Sequence, residues 1–485
     1  MDLIISYASL IWQFLLENWA VLLVLGLTFL FIRWVFKIAI KNYLIRKQDA
    51  TIKKIKWVVL QVIFPKDNEK SPKAMEQVFA GFHAWYSYGY NWYQVWVEGE
   101  VERWMSLEIV GHAGKMGFYI RVPAGFKKTV MDSFFAQYPN VEITEVPDYF
   151  DSLPENLPNE TFSTFSTDFM LARDNAYPLK TYDFFEEAAE EKRLDPISTF
   201  GEVMSNLKED EMLILQLIIR PHFDEYGKEW KDKGKEIVDK LYGRPSKKPE
   251  KNPIIAFLDF IVDLISTVAG GKGGAETAKK EEKLMFKFAT PGEQEAAERI
   301  DRKMSKVAFE CALRFTYIDS RNAFTGSNIT AGFAGIAQYA TRDLNSFKPN
   351  MKTFIKKNKV GSDSKNVFVK FILGDYFFRK ERLERRRRLM FRAAKERYIP
   401  QYLYTLSPMF NQKSNPKVTG KYRRLGSLLG RNVPFGALQV ETFILGIDEL
   451  ATLFHPPVIG VGATKIEYQE ARKGKAPVDL PILEE

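Results

Sequence analysis

"WMSLEIVGHAGKMGFYIRVP" occupies residues 104–123. Two runs rich in β-branched and aromatic residues, 104–111 and 116–122, flank His112, Ala113, Gly114 and Lys115, which reads as a hairpin. Upstream lies "SPKAMEQVFAGFHAWY" (71–86), where Ser71 is a good N-cap and Pro72 suits the first helical position. Met75, Val78, Phe79 and Phe82 recur at helical spacing and make one apolar face. Before it, "IKWVVLQVIF" (55–64) reads as a strand. Downstream, "AGFKKTVMDSFFAQYP" (124–139) predicts a second helix with Phe126, Val130 and Phe134 on one stripe and Pro139 as its stop. "NVEITEV" (140–146) closes the unit as a strand. The order is β-α-β-β-α-β, which predicts a ferredoxin-like split βαβ domain over residues 50–150.

A looser version of the same order follows, and it predicts a second α+β domain over residues 160–345. Strands are expected at 167–174, 211–221 and 309–319, with helices at 195–207, 292–308 and 328–340. The fold class expected is therefore α+β, an N-terminal transmembrane helix followed by two ferredoxin-like domains and long helices. No true sequence repeat is demonstrable. An insertion at 222–284 interrupts the second domain and contains a basic, proline-rich linker, 244–253. It leads into an amphipathic stretch, 254–268, with Asp259, Asp263, Ser266 and Thr267 as its polar stripe. Two aspartates and a short length argue against a second span. Phe257, Leu258, Ile261 and Leu264 could lie on a membrane surface, or the helix could pack against protein.

Residues 346–400 form a basic helical segment whose core, "FFRKERLERRRRLMFRAAKERY" (377–398), carries ten basic and three acidic side chains. Arg385, Arg386, Arg387 and Arg388 are its candidate contacts for an anionic partner, lipid or nucleic acid. A solvated charged helix is the plainer reading. The final segment, 401–485, contains "GIDELATLFHPP" (446–457), and "ETFILGIDELATLF" (441–454) is read as a strand entering a short helix. Leu450, Leu453 and Phe454 should face a core, and Pro456 and Pro457 should end the helix.

The N-terminus sets the location. "WAVLLVLGLTFLFI" (19–32) is free of charge, and the apolar run extends with Arg33 and Lys37 to about Ile40, enough to cross a bilayer. Residues 1–32 hold no Lys or Arg, whereas 33–56 hold eight, so the downstream side is expected in the cytoplasm and the N-terminus outside. The acidic start "MDLII" and bulky basic flank argue against a cleaved signal peptide, so residues 1–48 are read as an anchor with its basic flank. A single cysteine, Cys311, rules out an intrachain disulfide. The net charge of +9 is compatible with nucleic acid, anionic lipid or solubility alone.

The four histidines, His83, His112, His222 and His455, have no metal-ligand spacing. "GVGATK" (460–465) lacks the spacing of a phosphate loop, and no GxSxG or dinucleotide fingerprint occurs. No catalytic, cofactor-binding or metal residue is therefore nominated, no cofactor is expected, and the chain is expected not to be an enzyme.

Two stretches, 106–150 and 446–457 with its continuation "GATKIEYQEARKGKAPVDLP", resemble parts of a family. They resemble the membrane-proximal, non-motor region of type IV secretion or conjugative-transfer coupling proteins of candidate-phyla (Patescibacteria-type) bacteria. In longer members that region precedes a coupling ATPase, and the sequence here stops at Glu485 where the motor would begin. The resemblance implies a membrane scaffold or adaptor whose partners would be the bilayer and a separate P-loop ATPase or further copies of itself. A peripheral lipid-binding or nucleic-acid-binding membrane protein is the alternative.

Overall fold

A computed structural model describes residues 2–65, 68, 70–85, 90–187, 195–222, 229–244, 290–351, 353–354, 379–401, 438 and 440–457. The expected amphipathic stretch 254–268, with Phe257, Leu258, Ile261 and Leu264, lies outside them, as do 460–465.

The hairpin expected over 104–123 is β2 (Met105–His112) and β3 (Lys115–Pro123). Its two-residue turn has Ala113 at φ 50° and Gly114 at φ 75°, the pair of positive values that a type I′ turn needs to match strand twist. Around it stand β1 (Trp57–Ile63), α2 (Lys73–His83), α3 (Lys127–Gln137) and β4 (Glu142–Val146). Helix α2 starts one residue later than expected, with Pro72 itself at the N-cap. The second unit comprises β5 (Phe162–Leu171), α4 (Tyr182–Glu187), α5 (Ser198–Ser205), β6 (Met212–His222), α6 (Glu229–Leu241), α7 (Pro291–Ser305), β7 (Ala308–Ser320), α8 (Ser327–Ala337) and β8 (Phe347–Pro349). Three described elements close the chain: α9 (Arg379–Lys395), β9 (Phe443–Gly446) and α10 (Ile447–Leu453). The fold is α+β, with the long apolar helix α1 (Asp2–Lys54) at its start.

All nine strands among the described residues belong to one antiparallel sheet in the order β4-β1-β3-β2-β6-β7-β5-β8, with β9 also on β7. The two units meet where β2 pairs with β6, from Met105 opposite Ile219 to His112 opposite Met212. Outward from that pair the order mirrors itself, β3-β1-β4 on one side and β7-β5-β8 on the other. In each unit the fourth strand returns beside the first. The hairpin β2–β3 has as its counterpart β6–β7, adjacent strands joined by an excursion containing α6 and α7. Strand β9 extends the line of β5, pairing residues 308–311 of β7 where β5 stops at 313.

Period-two alternation gives the sheet two different faces. Leu107, Ile109, Phe118, Ile120, Leu213, Leu215, Leu217, Leu313 and Phe315 point to one side, where α2, α3, α5, α8 and α10 cover them as the main core. The alternate residues face α9, which lies on the opposite side through Met390, Phe391, Ala393 and Ala394. Cys311 lies buried in β7 on the main-core side, and burial pushes its thiol pKa well up.

Helix α1 does not stop at the body. Its apolar residues between 19 and 36 are exposed, while Asn42, Leu44, Ile45 and Gln48 are buried. Leu44 and Ile45 pack on Val95 and Trp96 of a π-helical turn, Gln94–Glu98. Gly99 ends that turn at φ 75°, and a Cβ there would stand 2.7 Å from the carbonyl carbon of Lys47. Only glycine permits so close an approach of the turn to the helix. Thr51 Oγ1 donates to the Glu98 carbonyl at 2.9 Å, securing the same joint.

Candidate functional site

The face of the sheet beneath α9 sets buried charges among apolar residues such as Ile214, Ile218 and Ile318. Arg397 is fully buried and donates from Nε to Glu108 Oε1 at 2.8 Å and from Nη2 to Glu108 Oε2 at 3.1 Å. Its Nη2 also reaches Asp148 Oδ1 at 3.0 Å, and its guanidinium lies over Tyr149 and Phe150. Glu108 accepts two further bonds, from Gln216 Nε2 at 3.0 Å and the Tyr149 hydroxyl at 2.7 Å. Both carboxylate oxygens of Glu108 therefore carry two donors each.

The backbone of Arg397 makes this contact unusual. Helix α9 ends in a Schellman arrangement, with Tyr398 N–H donating to the Ala393 carbonyl at 2.9 Å and Arg397 N–H to the Ala394 carbonyl at 3.1 Å. Arg397 holds the left-handed position at φ 48°, where glycine is the usual residue. That conformation costs a non-glycine residue roughly 1–2 kcal/mol. The buried guanidinium contacts offset the strain.

The sheet also receives the helix's C-terminal carbonyls. Arg314 Nη1 donates to the Ala393 carbonyl at 2.6 Å, Gln216 to the Ala394 carbonyl at 3.1 Å, and the Trp104 indole to the Arg397 carbonyl at 3.1 Å. Arg314, the cation among these donors, complements the negative pole of the helix. Arg314 is itself paired with Asp168 at 2.7 Å, and both are fully buried. Arg220 and Glu310 form a neighbouring buried pair at 2.8 Å.

Electrostatics divide these groups. Burial alone would raise the Asp148 carboxyl, but the hydrogen bonds and charge of Arg397 hold it below the usual range. For Arg397, burial opposes the charge and Glu108 more than restores it, so the guanidinium is held still more firmly protonated. Arg121 is pushed down to about 10 by burial and then by the charge of Arg397. Asp168 is raised by burial despite Arg314. Glu108, with two donors on each carboxylate oxygen, fixes the end of the helix in place through Arg397, while Asp168 Oδ2 and Gln216 Oε1 are buried without a hydrogen-bond partner among the described residues.

A second polar cluster lies on the other face, within "GIDELATLFHPP". Every residue of α10 is buried. Glu449 accepts from Gly446 N–H at 2.8 Å and Leu179 N–H at 2.7 Å and pairs with Lys303 at 3.0 Å. Burial raises its carboxyl pKa in spite of Lys303. Asp448 meets Lys306 at 3.2 Å, and Lys306 continues to Glu76 on α2 at 3.0 Å. His455 Nε2 stands 3.1 Å from Asp195 Oδ1, Phe454 sets its ring edge-on to Phe118, and the Asn68 amide donates to the Pro457 carbonyl at 3.3 Å. The segment thus ties α2 and β3 of the first unit to the second, and Leu450, Leu453 and Phe454 face the core as expected.

The four nominated arginines are not equivalent. Arg385 and Arg388 are exposed, whereas Arg386 and Arg387 are half-buried, and burial lowers the Arg387 pKa. Glu384 stands 3.8 Å from Arg388 and 3.3 Å from Arg321. The picture of α9 as a wholly solvated charged helix is corrected: its C-terminal half is a packing element, because the sheet beneath offers matched charges. Sequence reasoning missed Glu108, Asp148, Asp168, Gln216, Arg314 and Arg397. On the strands the available signal was polar residues of both signs in one alternation phase.

Among the described residues no group of three or more His, Cys, Asp or Glu side chains is placed to hold a metal ion. No known protein-family model matches the chain, and no curated protein does.

Proposed function

We propose that the chain is a single-pass membrane protein that works without catalysis, as a scaffold or adaptor in a membrane assembly resembling type IV secretion or DNA transfer. The observation that carries this reading is α1, one helix with a bare apolar half and a half locked into the body. Force or position is transmitted through such a helix without a hinge. We read both units as ferredoxin-like, on the strand order of each, and the body as cytoplasmic, on the basic residues that follow the span. The doubly bonded Arg397–Glu108 pair that holds the end of α9 suits a rigid platform.

The test has two arms. Glu298 is exposed on α7, so Glu298→Cys offers a surface thiol while Cys311 stays buried and silent. A membrane-impermeant maleimide should label it only after lysis; labelling in intact cells overturns the orientation. Mass photometry of the detergent-extracted protein should show oligomers or a co-purified ATPase, and a strict monomer without partner overturns the scaffold. A second reading, an anionic lipid or nucleic acid as partner, is favoured by the solvent-facing Arg385 and Arg388.

A further inference from the structure

We propose that residues 90–97 form an aromatic collar seated in the headgroup layer of the bilayer, beside the point where α1 leaves it. The inference rests on α1 crossing the membrane and adds a second, independent contact with lipid.

Trp92 is 42% exposed, Tyr93 57% and Val97 38%, on a segment whose other side is buried. Val95 and Trp96 form that buried side against Leu44 and Ile45, while Tyr90 and Ile40 pack around them. The collar is therefore fixed in height along α1. From Ile40 to Ile45 the helix rises by about 7.5 Å. If the apolar span ends near Ile40, the collar stands within the few ångströms of interface beyond the hydrocarbon. Trp and Tyr concentrate at that level, because each ring has an apolar body and a polar tip. Tyr43, 48% exposed on α1, adds a third ring at the same height. Arg46 is exposed and Lys47 half-exposed on the same stretch of helix, placing cations where anionic headgroups lie. An exposed Trp-Tyr pair on a rigid turn has no such explanation in water. Anchored twice, the body cannot swing freely about α1.

The full chain in nanodiscs of phosphatidylcholine and phosphatidylglycerol provides the test, with Cys311→Ala as background. Nitroxides are placed singly by Leu27→Cys, Asn91→Cys and Glu298→Cys, leaving Trp92 and Tyr93 intact. Collision with oxygen and with a water-soluble nickel complex reports depth. Position 27 should be lipid-like, 298 aqueous and 91 intermediate, and Trp92→Ser with Tyr93→Ser should shift 91 to the aqueous value without moving 27. A lipid-like 27 with an aqueous 91 in the otherwise intact chain overturns the collar alone. An aqueous 27 overturns the anchor and the collar with it. A collar that keeps its depth after both serine substitutions overturns the role given to the two rings.

Discussion

The two faces of the sheet solve the same problem differently. Along β2 the odd residues Leu107 and Ile109 enter a hydrocarbon core, while Glu108 between them enters a buried lattice of charge. The apolar face tolerates inexact partners, because burial scales with area and has no direction. The charged face does not, because each desolvated ion needs its counterpart in place. One face supplies bulk stability, and the other specifies where α9 sits.

The largest expected effects come from breaking each face once. Arg397→Met should cost about 3–5 kcal/mol, since the buried Glu108 and the half-buried Asp148 would lose their cation. Phe79→Ala, deep in the main core, should cost a similar ~3–5 kcal/mol. Denaturant titration of the detergent-solubilised protein measures both. The faces should differ on a second change: adding Glu108→Gln and Asp148→Asn to Arg397→Met should recover stability, whereas adding Phe82→Ala to Phe79→Ala should lose more. Recovery on neither face would erase the distinction. Arg397→Gly should be more stable than Arg397→Met by about 1 kcal/mol, the left-handed strain.

Next in size is the joint of α1. Gly99→Ala should cost roughly 1–3 kcal/mol, through a positive φ and overpacking against Lys47. Faster proteolysis after Lys53 or Lys54 would report the loosening, and an unchanged rate would count against the close approach.

Acid separates individual carboxyls. Asp148 is depressed in the folded state, so its contribution is complete above its unfolded value of about 3.9 and is lost as pH falls through the lower folded value. Glu449 and Asp168 are raised, so they have the opposite sign: stability is gained as pH falls through their folded values towards about 4. Asp148→Asn should therefore flatten the acid limb of a stability–pH curve below about pH 4. An unchanged limb would remove Asp148 from the account.

The smallest effect belongs to the solvent side of α9. Arg385→Glu with Arg388→Glu should alter stability by no more than about 0.5 kcal/mol per site. The same pair should weaken any salt-sensitive binding to anionic vesicles or DNA, measured by flotation and by filter retention.

Much of the fold was legible because short-range rules wrote it. Apolar spacing in 71–86 found α2, the turn at 112–115 found the hairpin, and the run at 441–454 found β9 and α10. Strand β8 escaped because three residues carry no period, and α6 escaped inside the region read as an insertion. The charge cluster escaped for a different reason. A polar residue in a strand's alternate phase reads as solvent-facing, and only the docking of α9 turns that phase into an interior.

By itself the sequence determined the apolar span, its basic flank, the β-α-β-β-α-β order of the first unit and three strands of the second, all of which depend on neighbours within about two turns or one hairpin. Tertiary structure alone decided that β2 pairs with β6, so that two units share one sheet. It alone placed Arg397 on Glu108, 289 residues away, and His455 on Asp195, 260 residues away. Periodicity states which side of an element seeks cover. Which distant element supplies that cover depends on shape and charge matched across the whole chain, and no local pattern contains it.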